Sequence, residues 1–219
     1  MKKIFKDWSL FEISFLSISI IIIAVSGVIF KAELISVAMS VLAVTVAILQ
    51  AKGKVLSQCI GLLVAVLYSI ISFKNKYYGE VIIYITLMIP LYILSVISWI
   101  QNKNKETQTV NKGYVPKKEW IVLIFVNIVL FIILYQILKA LNTSQLLISS
   151  LSMITSVMAT YLISKRSKYS FLFYLLNDII LILLWGIPVI QGNFSLIPVL
   201  LDPLILFIND IYGFKNWSK

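Results

Sequence analysis

The sequence contains no histidine and a single cysteine, and both absences narrow the chemistry available to it. Histidine is the commonest zinc ligand and the commonest proton shuttle, and no cluster of cysteines replaces it here. Cys59 has no second thiol with which to form an intrachain disulfide. We therefore predict no metal site, no cofactor and no disulfide scaffold.

Signatures of soluble nucleotide-dependent enzymes are also missing. The chain has eight glycines, and none belongs to a glycine-rich phosphate loop with its following lysine. No motif pairs a nucleophilic side chain with a base. The sequence therefore predicts that the protein is not an enzyme and that the chain does not contain an ATP-driven pump. An intramembrane enzyme or a non-transporting subunit is the alternative class.

Long apolar segments dominate the sequence instead. Hydrophobic residues make up 60% of the chain, and its mean hydropathy is +0.99. Eight segments are long enough to cross a bilayer as helices: 10–30, 33–50, 55–73, 80–100, 120–141, 144–164, 169–190 and 194–212. The first is too long for the apolar part of a cleaved signal peptide, which favours a retained helix. The predicted fold class is an all-α integral membrane protein with eight transmembrane helices.

The basic residues are distributed unevenly between the two membrane sides. With eight spans both termini lie on one side, and fifteen of the nineteen lysine and arginine residues fall there. The other side has only Lys31, Lys74, Lys76 and Lys139. The positive-inside rule then makes both termini cytoplasmic. We interpret the net charge of +10 as a topological signal, so we expect a lipid bilayer and no nucleic acid as partner.

Residues that bound or bend helices recur at a fixed offset of 113 positions: Lys52 and Lys165, Ser57 and Ser170, Gly79 and Gly192, Pro90 and Pro203. Such recurrence indicates an internal duplication. We predict four segments: a leading helix (1–32), a first three-helix repeat (33–100), a polar linker with a connecting helix (101–143), and a second three-helix repeat (144–219). The connecting helix gives both repeats the same orientation, so this 3+1+3 core has parallel repeats. The linker is expected to be a flexible loop.

Two predicted helices place polar side chains near mid-membrane. Asn177 and Asp178 lie there in the seventh span, and Trp185 follows Asp178 by seven residues, on the same helix face. Asp202 and Asn209 have the same spacing in the eighth span. An ionisable group in hydrocarbon costs about 3 kcal/mol on insertion scales, so it normally faces protein or a wet cavity. We interpret all five as candidate substrate-binding residues, with helix-to-helix hydrogen bonding as the alternative.

The first repeat offers phenols rather than carboxylates. We add Tyr68 and Tyr92 to the candidate site, although membrane tyrosines often serve as interfacial anchors. Pro90 and Pro203 occupy matching positions in the last helix of each repeat, where proline bends a helix, and are either hinges or static kinks. We expect Asp210 to be a structural helix cap at least as readily as a substrate-binding residue.

Several motifs resemble those of a known family. Ala51-Lys52-Gly53-Lys54, Gly61-Leu62-Leu63, Tyr78-Gly79-Glu80 and the closing Asn209-Asp210-Ile211-Tyr212-Gly213 are similar to PnuC-type nicotinamide riboside transporters. The resemblance extends from Trp8 to Trp217. One departure is that Phe171 and Tyr174 stand where relatives often carry tryptophans.

This resemblance implies a SWEET-like fold, a homotrimer and a bacterial cytoplasmic membrane location. It also implies facilitated diffusion of nicotinamide riboside, trapped by a cytoplasmic kinase, with substrate contacts from Asn177, Trp185 and Asn209. Transport of thiamine, riboflavin or another nucleoside-like vitamin, with or without proton coupling, is the alternative. Asp178 and Asp202 would suit a cationic ligand.

Overall fold

The computed structural model describes residues 7–219. Within this range, eight helices are long and apolar enough to span a membrane, as the sequence predicts. Their bounds are α1 Leu10–Ile29, α2 Leu34–Ala51, α3 Leu56–Lys74, α4 Tyr78–Gln101, α5 Lys117–Ala140, α6 Leu146–Ser164, α7 Ser170–Ile190 and α8 Phe194–Ser218. The predicted all-α fold class is confirmed.

Six of the helices form a closed ring. α2 packs on α3 and α3 on α4, while α6 packs on α7 and α7 on α8. Contacts of α4 with α6 and of α2 with α8 close the ring. α1 lies outside it against α2 and α8, and α5 lies outside it against α6 and α4. The inner faces of the ring can therefore share one central space.

Lys52 and Lys165, which the offset of 113 relates, make the same ion pair. Lys52 Nζ lies 2.7 Å from Glu12 of α1, and Lys165 Nζ lies 2.7 Å from Glu119 of α5. Each glutamate is the third residue of its helix. The two outer helices are thus attached to the ring in the same way, although the predicted duplication itself stays a prediction.

The turns that follow α2 and α6 also have the same local structure. Gly53 and Arg166, again 113 positions apart, both have left-handed backbone, with φ of 68° and 58°. The hydroxyls of Ser57 and Ser170 each donate to the carbonyl three residues earlier, at 2.8 and 2.9 Å. These two turns and the linker 102–116 lie at the same end of the bundle, which we call the basic end.

The linker, expected to be a flexible loop, is folded across the basic end. The Val110 N–H donates to the Gly53 carbonyl and the Gly113 N–H donates to the Arg166 carbonyl, both at 2.8 Å. Val110 is buried in a cluster with Trp99 and its neighbours. The composition of the linker correctly indicated that it is polar. It could not show that the turns after α2 and α6 offer the Gly53 and Arg166 carbonyl groups as hydrogen-bond acceptors. The linker therefore connects the two halves of the ring.

Two tryptophans also cross-link the halves at the basic end. Trp99 of α4 donates from Nε1 to the Ile163 carbonyl of α6 at 2.9 Å. Trp217 of α8 donates from Nε1 to the Ala51 carbonyl of α2 at 3.0 Å. Both carbonyls lie in the last turn of a helix, where regular helical N–H partners run out. The Ile163 carbonyl also accepts from the Arg166 N–H at 2.9 Å. The ring is thereby held closed at this end.

The cytoplasmic placement of the basic end stays a prediction. Lys2, Lys3 and Lys6, which contribute to the charge asymmetry, lie outside the described residues.

The two ion pairs predict different stability losses. The Lys52 and Glu12 side chains are 8% and 4% exposed, whereas those of Lys165 and Glu119 are 44% and 24% exposed. Lys52→Ala leaves a buried carboxylate without its partner, at a cost of about 3 kcal/mol. Lys165→Ala should cost about 1 kcal/mol or less because water can solvate Glu119. Thermal unfolding of the purified variants measures both, and equal losses would contradict this account.

Gly113 is predicted to be essential for the linker's docking. A Cβ at this position would lie 2.1 Å from the Lys165 carbonyl oxygen, so Gly113→Ala must displace the backbone. We expect a loss of about 1–3 kcal/mol, as for other overpacked sites. Gly186→Ala is the matched control, because its Cβ meets only one side-chain atom, at 3.8 Å. If Gly113→Ala and the control have the same melting temperature, the linker does not depend on the close approach of Gly113 to the Lys165 carbonyl.

Candidate functional site

A cavity lies between the helices of the ring, and its empty volume of about 820 Å³ includes space that is open to solvent. Five of the six ring helices line it, and α6 supports it from behind. The lining residues are Met39, Ala43, Val46, Ala47 and Gln50 of α2; Val64 and Tyr68 of α3; Tyr84 and Tyr92 of α4; Tyr174, Asn177, Asp178, Leu181 and Trp185 of α7; and Val199, Asp202, Pro203, Leu206 and Asp210 of α8.

Most of the predicted site residues are brought together here. Six of the seven candidates line the cavity: Tyr68, Tyr92, Asn177, Asp178, Trp185 and Asp202. Pro203 lines it as well, whereas Pro90 and Asn209 do not. Asn209 is buried, and its Nδ2 donates to Asp210 Oδ1 at 3.3 Å. Any contact between Asn209 and a ligand stays a prediction, and its observed partner is a cavity carboxyl group.

The α8 face explains why Asp210, rather than Asn209, lines the cavity. The face follows Val199, Leu206 and Asp210 at helical spacing. Counted from Val199 at about 100° per residue, Asp210 lies about 20° away around the helix axis, whereas Asn209 lies about 80° away. Asp202 occupies the edge of this face. Counting seven residues from Asp202 therefore selects a position just beyond the cavity.

Asn177 is oriented by two hydroxyl groups of α6. Thr155 Oγ1 and Ser156 Oγ donate to Asn177 Oδ1 at 2.7 and 3.1 Å. All three residues are buried. Because the amide oxygen is occupied, the Nδ2 group is the part of Asn177 left for a ligand. A donor group fixed by its neighbours in this way loses little freedom when it binds.

Trp185 is held by two tyrosines at the end of the cavity opposite the basic end. Its Nε1 donates to Tyr68 Oη at 3.2 Å, and the two rings meet edge to face at 5.9 Å. The Tyr77 ring packs edge to face against it at 5.0 Å. Leu196 and Val199 complete this aromatic cluster. The cluster fixes the indole and closes the cavity on this side.

Pro188 creates the acceptor that positions Tyr77. Proline has no N–H, so the Leu184 carbonyl, four residues earlier in α7, has no helical partner. Tyr77 Oη and Gln145 Nε2 each donate to it at 3.0 Å. Burial, and secondarily the Glu80 carboxyl group, raises the pKa of Tyr77 to about 12, so the phenol keeps its proton. The helix defect is thus repaired next to Trp185.

Pro90 and Pro203 have different surroundings despite their matching positions. Pro90 lies two residues after a π-helical segment, Tyr84–Met88, which contains the cavity residue Tyr84. Pro203 lies inside a continuous α-helix. A short π segment in an α-helix often occurs at functional sites. The two prolines are therefore not structurally equivalent, and their action as hinges stays a prediction.

The predicted site did not include four polar residues that line the cavity: Gln50, Tyr84, Tyr174 and Asp210. For Asp210, the sequence left a structural cap and a site residue as alternatives. The signal for these four residues was helical spacing. Gln50 falls on the line of Met39, Ala43 and Ala47, and Tyr174 falls three residues before Asn177. Residues 7–219 contain no group of three or more cysteine, aspartate or glutamate side chains placed to hold a metal ion. The cavity wall combines tyrosine and tryptophan rings, amide groups and carboxyl groups with apolar side chains.

Comparisons with known proteins agree with this architecture. A family model described as "Nicotinamide mononucleotide transporter" matches residues 33–219, which leaves α1 outside the match. The nicotinamide riboside transporter PnuC of Neisseria mucosa is 23% identical over 225 residues, covering 100% of this chain and 84% of the relative. The nicotinamide riboside transporter PnuC of Haemophilus influenzae is 26% identical over 176 residues, covering 78% of this chain and 74% of the relative.

A solved structure shares the fold. The crystal structure of the vitamin B3 transporter PnuC superposes with a TM-score of 0.85 at 21% sequence identity. The match covers 98% of this chain and 93% of the solved chain. The eight-helix arrangement is therefore that of a known multi-pass membrane protein.

The repair of the Pro188 defect gives a prediction with an internal rescue. Tyr77→Phe combined with Gln145→Leu leaves the buried Leu184 carbonyl without a donor, which should cost about 1–3 kcal/mol. Pro188→Ala restores a helical N–H for that carbonyl, so the same pair of substitutions should cost clearly less in the Pro188→Ala background. Thermal unfolding of the four proteins measures the difference. Equal losses in both backgrounds would show that the two side chains do not act through Leu184.

Proposed function

The chain belongs to the nicotinamide mononucleotide transporter family, and we propose that it carries nicotinamide riboside across the membrane by facilitated diffusion. It is a membrane transporter and not an enzyme. The cavity inside the helix ring supports this choice of binding site. The Trp185 ring, the Asn177 amide and the carboxyl groups of three aspartates converge there. The names of the two relatives support the substrate. Thiamine, riboflavin and other nucleoside-like vitamins are the alternative substrates.

In the proposed complex, Trp185 stacks on the pyridine ring. Asn177 donates from Nδ2 to a substrate oxygen, and Asp202 contributes to balancing the positive charge of the ring. Tyr68 and Tyr92 supply hydroxyl groups along the cavity wall. Asn209 acts through Asp210, to which its amide donates. This division of roles follows the general design of small-molecule sites, in which a few fixed polar groups orient a ligand in a mainly apolar pocket.

Transport requires the cavity to open at each end in turn. We propose that the two three-helix groups rock against each other, with bending at Pro90 and Pro203. The Trp99 and Trp217 hydrogen bonds would then break when the basic end opens, and the Tyr77 and Trp185 contacts would break when the other end opens. In a carrier, the conformation open at one end and the conformation open at the other should differ in free energy by only a few kcal/mol. The few contacts that close each end are consistent with such a small difference.

Further features follow from the resemblance and are part of the proposal. These are a SWEET-like arrangement of parallel repeats, a homotrimer with a separate path in each protomer, and cytoplasmic termini in a bacterial cytoplasmic membrane. Uniport only brings its substrate to electrochemical equilibrium, so continued uptake is favoured by a reaction that consumes the substrate inside. A cytoplasmic kinase that phosphorylates the riboside would supply that reaction.

Proton symport is the rival mechanism, and the cavity carboxyl groups of Asp178 and Asp202 are the observation that favours it. An imposed pH gradient across proteoliposomes separates the two mechanisms. Under uniport the final accumulation of nicotinamide riboside does not respond to the proton gradient itself, once the accompanying membrane potential is clamped. Accumulation above equilibrium that follows the proton gradient would replace uniport with symport.

Uptake of labelled nicotinamide riboside into proteoliposomes tests the site. We expect Asn177→Ala and Trp185→Ala to reduce uptake by at least about tenfold, since each removes a fixed contact worth roughly 1.4 kcal/mol or more. Asn209→Ala should reduce it less, because its effect passes through Asp210. Asn127→Ala and Trp120→Ala, which alter the same residue types on α5 outside the cavity, are the matched controls. Wild-type uptake by both Asn177→Ala and Trp185→Ala would reject this site.

A further inference from the structure

We propose that Asp178, Asp202 and Asp210 make the cavity selective for ligands with a permanent positive charge, with the Asp178 and Asp210 pair as the principal selector. The inference rests on the proposed transport function and deepens it, because it specifies the charge class of the substrate and assigns three carboxyl groups to that choice.

The first step is the orientation of unpaired carboxyl oxygens. Asp178 and Asp202 line the cavity and are 3% and 5% exposed. Asp178 Oδ2 and Asp202 Oδ1 have no hydrogen-bond partner among the described residues. A buried polar oxygen without a partner is costly and normally has a functional explanation. Both oxygens belong to side chains of the cavity wall, so a ligand inside the cavity is the available partner.

The second step is the pairing of two carboxyl groups. Asp178 on α7 and Asp210 on α8 line the same cavity, and their carboxyl groups are close enough to influence each other. Two neighbouring carboxylate anions repel, so the proposal assigns one proton to the pair. Asn209 donates a further hydrogen bond to Asp210 Oδ1. The pair then carries one negative charge, which matches one positive charge on a ligand.

The third step is the absence of an internal counter-charge. No lysine or arginine is among the residues that line the cavity, within the described part of the chain. The four ion pairs formed by described residues all use other acidic residues: Asp7, Glu12, Glu33 and Glu119. A buried charge that no protein group neutralises favours a ligand of opposite charge, and the attraction is strong where water is scarce. The carboxyl groups of the cavity wall can thus act as counter-ions for a cationic ligand.

The chemistry of the ligand makes this inference testable with a matched pair of probes. Nicotinamide riboside contains a pyridinium ring with a fixed positive charge. Its 1,4-dihydro form has nearly the same size and the same polar groups but is neutral. The two compounds therefore differ mainly in the charge that the carboxyl groups are proposed to recognise.

Competition against labelled nicotinamide riboside in wild-type proteoliposomes is the first measurement. We expect the neutral dihydro form to compete at least about tenfold more weakly than the unlabelled cation, because a lost buried charge contact typically costs that much or more. Equal competition by the two forms would overturn the proposal, and this readout needs no variant that might fail to fold.

The Asp178→Asn/Asp210→Asn double variant is the second measurement. It keeps side-chain size and should lose most of the preference for the cation while still binding the dihydro form. Asp202→Asn should lose a smaller part. Glu33→Gln removes one negative charge on the exposed surface and should keep the full preference. A preference that survives in the double variant, or that falls equally in Glu33→Gln, would overturn the assignment.

Failure of the proposed function has a different signature. If wild-type proteoliposomes take up neither form of the riboside, the substrate is wrong, and the charge rule is then decided by ligand-induced stabilisation of the purified protein. In that case 1-methylnicotinamide, a cation, should raise the melting temperature more than neutral nicotinamide. Equal shifts with the two compounds would overturn the charge rule independently of transport.

Discussion

A polar group inside a membrane has no water to satisfy it, and this requirement organises the centre of the molecule. The Leu184 carbonyl, freed by Pro188, is satisfied by Tyr77 and Gln145. The Asn177 oxygen is likewise satisfied by hydroxyl groups of α6. Asp178 Oδ2 and Asp202 Oδ1, on the cavity wall, are among the buried oxygens that have no hydrogen-bond partner in residues 7–219. These two carboxyl groups are therefore available to a ligand in the cavity.

The two ends of the cavity are closed by different means. At the basic end, indole hydrogen bonds and the folded linker tie backbone carbonyls of one half to the other. At the opposite end, the aromatic cluster around Trp185 closes the space by packing and by hydrogen bonds from Trp185 to Tyr68 and from Tyr77 to the Leu184 carbonyl. Neither closure uses the carboxyl groups of the cavity. Opening the basic end can therefore proceed without disturbing the proposed ligand contacts, whereas opening the other end loosens Trp185, which belongs to both the closure and the proposed site.

The two halves share scaffold positions and differ in cavity chemistry. Val64 and Asn177 are 113 positions apart and both line the cavity, as do Tyr68 and Leu181. One member of each pair is polar or phenolic and the other is apolar. The equivalent lysines that end α2 and α6 keep the same ion pair. Matching scaffolds with different lining residues give the cavity an acidic side, on α7 and α8, and a phenolic side, on α3 and α4.

Composition and periodicity by themselves determined the membrane class, the eight helices and much of one cavity face, because apolar length and helical spacing are local properties of a sequence. The same local reasoning grouped Asn177, Asp178 and Trp185 on α7. Tertiary structure alone decided that Asp210 meets Asp178, that Tyr84 and Tyr174 join the wall, and that the linker docks on both turns. These features depend on how helices distant in sequence are rotated against each other, and no single segment encodes that rotation.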